Sequence, residues 1–284
     1  MSRITLSGVS YSYGKKTPYE IKALDGVNIE IADGKITGII GHTGSGKSTL
    51  VQAIGGLIEP DEGEVLLDGV NIWGDRKKIR DHRFRVGLVM QYPEYQLFEE
   101  TIRKDIAFGP RNMGLSESEI EERVVEAAKF VELDASLLEK SPFELSGGEK
   151  RRAAIAGVIA MRPEILVLDE PAAGLDPRGR AAIFKNIAEY REATGKTVII
   201  VSHSMEDVAR YCDELIVMSD SKVIMHDIPK TVFSNPEFLV KNGLDLPQIA
   251  RLNMFLRKKG IDLGEGVYTV DGAFERIMEL SKRK

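Results

Sequence analysis

Gly41 to Thr49 reads GHTGSGKST, and these residue types at this spacing suit the grip of a polyphosphate. Gly41, Gly44 and Gly46 carry no Cβ, so the backbone there can take positive φ and turn its N–H groups onto phosphate oxygens. His42, Thr43 and Ser45 fill the loop between them. Lys47 would set a compact charge against the β and γ phosphates, and the Ser48 hydroxyl would help hold magnesium among phosphate oxygens and waters. The expected ligand is a nucleoside triphosphate with magnesium.

Further along, two adjacent acids, Asp169 and Glu170, end the apolar run Ile165–Leu168. Ionised carboxylates are costly as plain core. Successive strand side chains point opposite ways, so the pair can divide labour, Asp169 toward the magnesium shell and Glu170 toward the γ-phosphate and an attacking water. Gln91 ends the apolar run Val86–Met90 with a neutral amide able to donate and accept near a metal or water, although strand ends also carry such residues without chemistry. His203 follows the run Thr197–Val201; its imidazole could contact the γ-phosphate, while a lone strand-end histidine is more often structural. LSGGE, Leu145 to Glu149, precedes a run of small residues. There Ser146 can cap a helix and Glu149 can close a capping box, while Gly147 and Gly148 leave the helix end open to a second phosphate. Asp176-Pro177 reads as an N-cap followed by proline at the first helical position. Tyr13 could stack on a base, or serve as an ordinary strand aromatic.

These residues need elements to position them. The run Ile36–Ile40 before the glycine loop and the pattern Leu50, Val51, Ile54 after it predict strand, loop and helix in order. Ile4 and Leu6 leading to Tyr11 and Tyr13, then Ile29 and Ile31 before Asp33-Gly34, predict short strands, with Gly14 to Lys22 a loop between them. Val65 and Leu67 before Asp68-Gly69 predict a hairpin, completing an antiparallel layer. From Thr101 the period changes. Ile120, Val124, Ala127, Ala128 and Val131 form a helical stripe opened by Ser116 with Glu119 three residues on. A helical insert thus separates two β-containing halves. Near the end, Pro247 opens a helix with Ile249, Leu252, Phe255 and Leu256 on one face, stopped by Gly260, and a second helix carries Phe274, Ile277 and Leu280.

Composition excludes several classes. With 43% hydrophobic and 29% charged residues the chain has a soluble globular make-up, and its net charge of −5 offers no bulk support for nucleic-acid binding. The single cysteine, Cys212, allows no intrachain disulfide and reads as packing in a reducing compartment. The apolar runs are strand-length, short of the ~20 residues that span a bilayer. The start MSRITLSG lacks a signal-peptide core, so any membrane role is expected through partner chains.

In order and spacing, GHTGSGKST, Gln91, LSGGE, ILVLDE, Ala173–Asp176 and His203 resemble an ATP-binding-cassette (ABC) ATPase. The resemblance implies an α/β P-loop fold of ABC type, with a RecA-like core, an antiparallel β subdomain and a helical subdomain at about 92–160, together spanning 1–225. It implies that Tyr13 stacks on adenine, Gln91 is the Q-loop glutamine, and Lys47 and Ser48 belong to Walker A. Ser146 to Gly148 become the signature, Asp169 Walker B, Glu170 the catalytic acid, Asp176 the D-loop and His203 the switch, with ATP and magnesium as ligands. Glu149 departs from the usual glutamine, and both types suit the third position of a helix. Ala172-Ala173 departs from the usual Thr-Ser or Thr-Ala and bears on communication between sites.

A narrower match, through QYPEYQLFEE, IAGVIAMRPEILVLDEPAAGLDPRGR and GLDLPQIARLNMFL, resembles the A-prime, or cobalt-type, ATPase of energy-coupling-factor importers of vitamins and transition metals. It implies that residues 226–284 are a dimerisation extension. The implied partners are a second homologous ATPase, with homodimers possible alone, a transmembrane coupling subunit and a substrate-binding membrane subunit, at the cytoplasmic face of the cell membrane. Glu94, Glu99 and Glu100, interleaved with Tyr92, Tyr95, Leu97 and Phe98, suggest a groove with an apolar floor and an acidic rim, or else a solvated loop whose aromatics pack inward. The resemblance adds that a membrane subunit's coupling helix carrying arginine docks here, so Glu94, Glu99 or Glu100 is expected to grip it. The rival reading is a soluble cassette ATPase acting on nucleic acid or the ribosome; against it stand a single cassette, no long coiled-coil insertion and the acidic balance.

Overall fold

The computed structural model describes residues 3–264 and 266–282. Ten strands and eleven α-helices lie along these residues. β1 (Ile4–Tyr13), β2 (Ile21–Ile31), β4 (Glu62–Leu67) and β5 (Val70–Asn71) make an antiparallel sheet in the order β2-β1-β4-β5. β3 (Ile36–Gly41), β6 (Val86–Val89), β7 (Ile165–Asp169), β8 (Thr197–Val201), β9 (Glu214–Ser219) and β10 (Lys222–Asp227) make the second sheet, ordered β10-β9-β3-β8-β7-β6. Only β10 runs antiparallel to its neighbour there. The expected loop ends earlier than Lys22, because Ile21 and Lys22 pair with Tyr13 and Ser12 as the start of β2.

Why the central strands read as unbroken apolar runs is clear from their surroundings, since both faces are covered. Ile165, Val167, Ile199, Val201 and Ile216 pack on α1 (Lys47–Ile54) and the antiparallel sheet. The alternating Leu166, Leu168, Val198, Ile200, Leu215 and Val217 pack on the other side, in the core that holds the helical insert and α6 (Pro177–Thr194). That insert comprises α3 (Ile102–Asn112), α4 (Glu117–Phe130) and α5 (Gly147–Ile159), and the predicted stripe buries Ile120, Val124, Ala127 and Ala128 behind a complete Ser116–Glu119 capping box. Cys212 is simple packing, as expected: a methyl on Gly38 would come within 2.8 Å of its sulfur, and burial pushes its thiol pKa up. Among the described residues no helix is long and apolar enough to cross a membrane.

α2 (Ile79–Arg85) supports the phosphate-loop helix from behind. Its His82 Nε2 lies 2.8 Å from the Ile54 carbonyl, and Arg83 donates through Nε and Nη2 to the Gly56 carbonyl at 3.0 and 2.9 Å, so both satisfy carbonyls at the end of α1. Nε2 therefore carries the proton, while the buried Nδ1 has no partner among the described residues. Burial holds this imidazole below its usual pKa. As pH falls through ~6.5 the unfolded chain binds a proton before the folded one does, so stability drops, by up to about 1.4 kcal/mol per pH unit, until the folded pKa is reached. Denaturant titrations at pH 7.5 and 5.5 should show this loss, and His82→Gln, which can donate without titrating, should flatten it; an equal loss in the variant contradicts the assignment.

Within the cassette, α7 (Met205–Tyr211) follows β8; beyond it come α8 (Pro229–Phe233), α9 (Pro236–Lys241), α10 (Gln248–Lys258) and α11 (Val270–Ser281). Here most of the large apolar residues of the two stripes point away from the chain's own core. α10 buries Ala250 and Asn253, while Leu252 and Phe255 face out; α11 buries Ala273, while Val270, Phe274, Ile277 and Met278 face out.

Candidate active site

Because β3, β6, β7 and β8 run parallel, their carboxyl ends meet at one edge, where α/β sheets bind ligands. A cleft of about 810 Å³ opens there, lined by Gly41 to Thr49 except Ser45, by Gln91, Asp169, Glu170 and His203, and by Tyr13 from the antiparallel sheet. The volume lies within the range of small-molecule sites.

Two of the loop's three glycines take the expected positive φ; Gly41, the last residue of β3, does not, and glycine is needed there because a methyl would collide with the Met218 carbonyl. Gly44 and Gly46 take φ of +84° and +102°, and a methyl on Gly46 would collide with the Ala23 carbonyl. Gly46 opens α1 without a side-chain cap, so the helix directs its first N–H groups into the cleft. The Lys47 ammonium donates to the Gly41 and His42 carbonyls at 2.8 and 2.9 Å. Burial lowers the Lys47 pKa, and the Glu170 and Asp169 carboxylates oppose that shift. Ser45 is fully buried under the loop and takes no place in the lining.

Asp169 is buried, which raises its pKa, and the neighbouring Ser48 hydroxyl opposes that shift. Two of the three expected magnesium ligands, Ser48 and Asp169, are therefore side by side, and Gln91 lines the same cleft. The first two are hard oxygen donors, few enough that a magnesium ion would keep phosphate and water ligands as it prefers, and they fit that ion. Glu170 sits at φ +51°, an uncommon conformation for a non-glycine residue, and its Oε2 lies 2.8 Å from His203 Nδ1. Thus the strand-end histidine and the acid form one unit. Tyr13 is held by its hydroxyl, 3.3 Å from both Thr49 Oγ1 and Gln52 Oε1, and by an edge-on contact with Tyr11.

Ser146, Gly147, Gly148, Glu149 and Asp176 do not line this cleft. Ser146 caps α5 with Glu149 in a complete capping box, so glutamate fills the glutamine position without loss of the cap. Asp176 caps α6, accepting from the Gly179 N–H at 2.7 Å. A methyl on Gly147 would meet nothing within 4 Å, so packing within the chain does not require glycine there.

One residue escaped sequence reasoning. Arg151, 2% exposed on α5, donates through Nε and Nη2 to Glu94 at 3.0 and 2.8 Å, and through Nη1 to the carbonyls of Pro171 and Ala173, directly after Glu170. Its guanidinium also lies 5.9 Å from the Tyr92 ring centre. Glu94 therefore does not form part of an open acidic rim as the sequence suggested; its charge is spent inside the chain. Glu100 pairs with Lys104 at 2.5 Å but stays exposed, as do Tyr95 and Phe98.

A parallel sheet with a phosphate loop, an acid pair and a histidine at its carboxyl edge, plus a capped LSGGE helix, defines a cassette ATPase. Residues 24–173 match the ABC transporter family, and the whole chain is similar to energy-coupling factor transporter ATP-binding proteins, so the chain belongs to that family of ABC ATPases. It is 50% identical to EcfA2 of Caldanaerobacter subterraneus subsp. tengcongensis over 97% of this chain and 96% of that one. CbiO1 of Clostridium perfringens, described as part of the ABC transporter complex CbiONQ, is 40% identical with a TM-score of 0.74, covering 88% of this chain and 97% of the other. The dimeric cassette MJ0796 bound to ADP and phosphate is 30% identical with a TM-score of 0.72, covering 80% and 98%. The chain is an ATP-hydrolysing transporter subunit, and the reading as a soluble cassette acting on nucleic acid or the ribosome falls away.

Proposed function

We propose that this chain is one of two ATPases that close on ATP and open after hydrolysis to drive a membrane partner, with roles shared among the residues of the cleft. Tyr13 stacks on adenine, and the N–H groups of the loop together with Lys47 hold the β and γ phosphates. Ser48 and Asp169, with Gln91 beside them, would hold magnesium, which when bound offsets phosphate charge. Glu170 orients and polarises the attacking water, and His203, whose Nδ1 lies 2.8 Å from that carboxylate, meets the γ-phosphate.

The observation that carries this reading is the division of the machinery: one set of groups faces the cleft while Ser146 to Gly148 and Asp176 stand outside it. A bare glycine pair at a helix N-terminus, with no internal need for glycine at Gly147, suits phosphate held by another chain. We therefore assign the signature to the partner's ATP. The partner is a related ATPase, with homodimers forming when it is missing, and residues 226–284 supply a dimerisation surface through the outward Leu252, Phe255, Phe274 and Ile277. Exposed Tyr95 and Phe98 with Glu99 and Glu100 receive a basic coupling helix of the membrane subunit; Glu94, already paired, is not among its acids. The chain then sits at the cytoplasmic face of the membrane, away from the vitamin or transition-metal cargo, which a separate membrane subunit binds.

Native mass spectrometry of the full chain, purified with its partners from detergent-solubilised membranes, tests this. One copy beside one related ATPase and membrane proteins is expected. Two identical copies refute the heterodimer, and ribosomes or nucleic acid in place of membrane proteins refute the transport role.

A further inference from the structure

One wall of the nucleotide cleft comes from beyond the cassette. Gly243, Leu244 and Asp245, in the turn between α9 and α10, line it beside Lys47, Glu170 and His203. The turn is fixed from behind. Gly243 takes φ +72° after α9, its N–H bonds to the Val240 carbonyl at 3.0 Å, and the Leu244 N–H bonds to the Leu239 carbonyl at 3.0 Å. Leu244 and Leu246 are buried in the same core as Met205 and Val208 of α7. On the cleft side, a methyl on Gly243 would lie 3.9 Å from the His42 side chain, so the turn rests against the phosphate loop.

A second tie runs through α7. Glu206, three residues after His203, accepts the backbone N–H of Gln248 at 3.0 Å and so satisfies a free donor at the start of α10. The next residue, Asp207, accepts from Arg180 of α6 at 2.6 Å. The segment that follows the switch histidine therefore holds the starts of two helices. Asp245 pairs with Arg251 within the extension, joining the turn to the first part of α10.

On the ATP reading above, a triphosphate draws Lys47 from the Gly41 and His42 carbonyls, and its γ-phosphate meets His203. The first event acts at His42, which the turn faces, and the second at His203, three residues before the Glu206 that holds the start of α10. The geometry points to the Gly243–Asp245 turn as part of the nucleotide site, through which the C-terminal extension follows γ-phosphate occupancy in its own chain. Because such coupling is reciprocal, the arrangement of α10 also sets affinity for ATP.

Hydrogen exchange on the full chain tests this, in a Ser146→Arg background that blocks closure on a partner while leaving the chain's own loop intact. MgATP should protect residues 41–50 and change exchange across 244–252 on the order of threefold or more, with MgADP giving the first effect and less of the second. Glu206→Ala should remove the response at 244–252 while keeping protection at 41–50, and Glu206→Gln, which retains an acceptor oxygen, should restore it. An unresponsive 244–252 beside a protected 41–50 overturns the inference alone, as does a full response in Glu206→Ala. Absence of protection at 41–50 overturns the ATP reading and the inference with it.

Discussion

Glu170→Gln is expected to bind ATP as the parent does and to lose turnover by ~10²–10⁴-fold in the assembled complex, the usual contribution of a general base. The amide keeps the size of the side chain and a hydrogen-bonding oxygen for His203, which lies 2.8 Å from the carboxylate, so the site should stay assembled. It loses the negative charge that polarises water. Lys47 and the loop N–H groups act on the phosphates and are untouched, which is why binding survives. Binding measured by nucleotide titration and hydrolysis by phosphate release separate the two effects. Near-native turnover in the assembled complex would remove Glu170 from its role.

Arg151→Met should be the most damaging single change outside the cleft. The arginine and Glu94 side chains are 3% and 15% exposed, and cutting one partner from a buried pair leaves an uncompensated charge, typically at a cost of about 3–5 kcal/mol. The variant also frees the Pro171 and Ala173 carbonyls that follow Glu170, whose φ of +51° needs its surroundings to hold it. Turnover should therefore fall along with the denaturation midpoint. Adding Glu94→Gln should recover part of the stability by removing the stranded charge, without recovering the turnover. A loss below about 1 kcal/mol with native turnover would show that the network carries neither load.

The parts of this fold that could be read in advance are those whose physics is local. Runs such as Ile165–Leu168 are apolar throughout because both sheet faces are covered, and the capping boxes at Ser116 and Ser146 and the Asp176 cap are complete within four residues. Most cleft residues were legible because the phosphate loop, Gln91, Asp169, Glu170 and His203 sit at or just after the ends of neighbouring parallel strands, so finding the strands places them together, while Tyr13 comes from the antiparallel sheet. What escaped depends on distance along the chain. Glu94 and Arg151 are 57 positions apart, and no local pattern distinguishes a glutamate bound inside from one on a rim. The Gly243 turn reaches His42 across most of the sequence. In α10 the period was legible but the inward residues were not: small Ala250 and polar Asn253, which bonds to Gly264 and Leu263, lie inward, leaving Leu252 and Phe255 of the expected stripe outside. Periodicity finds a stripe without saying which body covers it.

The most direct measurement is a structure of the Glu170→Gln chain with MgATP and its partner ATPase. The account predicts a triphosphate along Gly41 to Thr49, a magnesium ion held by the Ser48 hydroxyl near Asp169, adenine on Tyr13, and Ser146 to Gly148 against the γ-phosphate held by the partner. Nucleotide bound elsewhere, or a signature helix facing its own chain's phosphate, would contradict it.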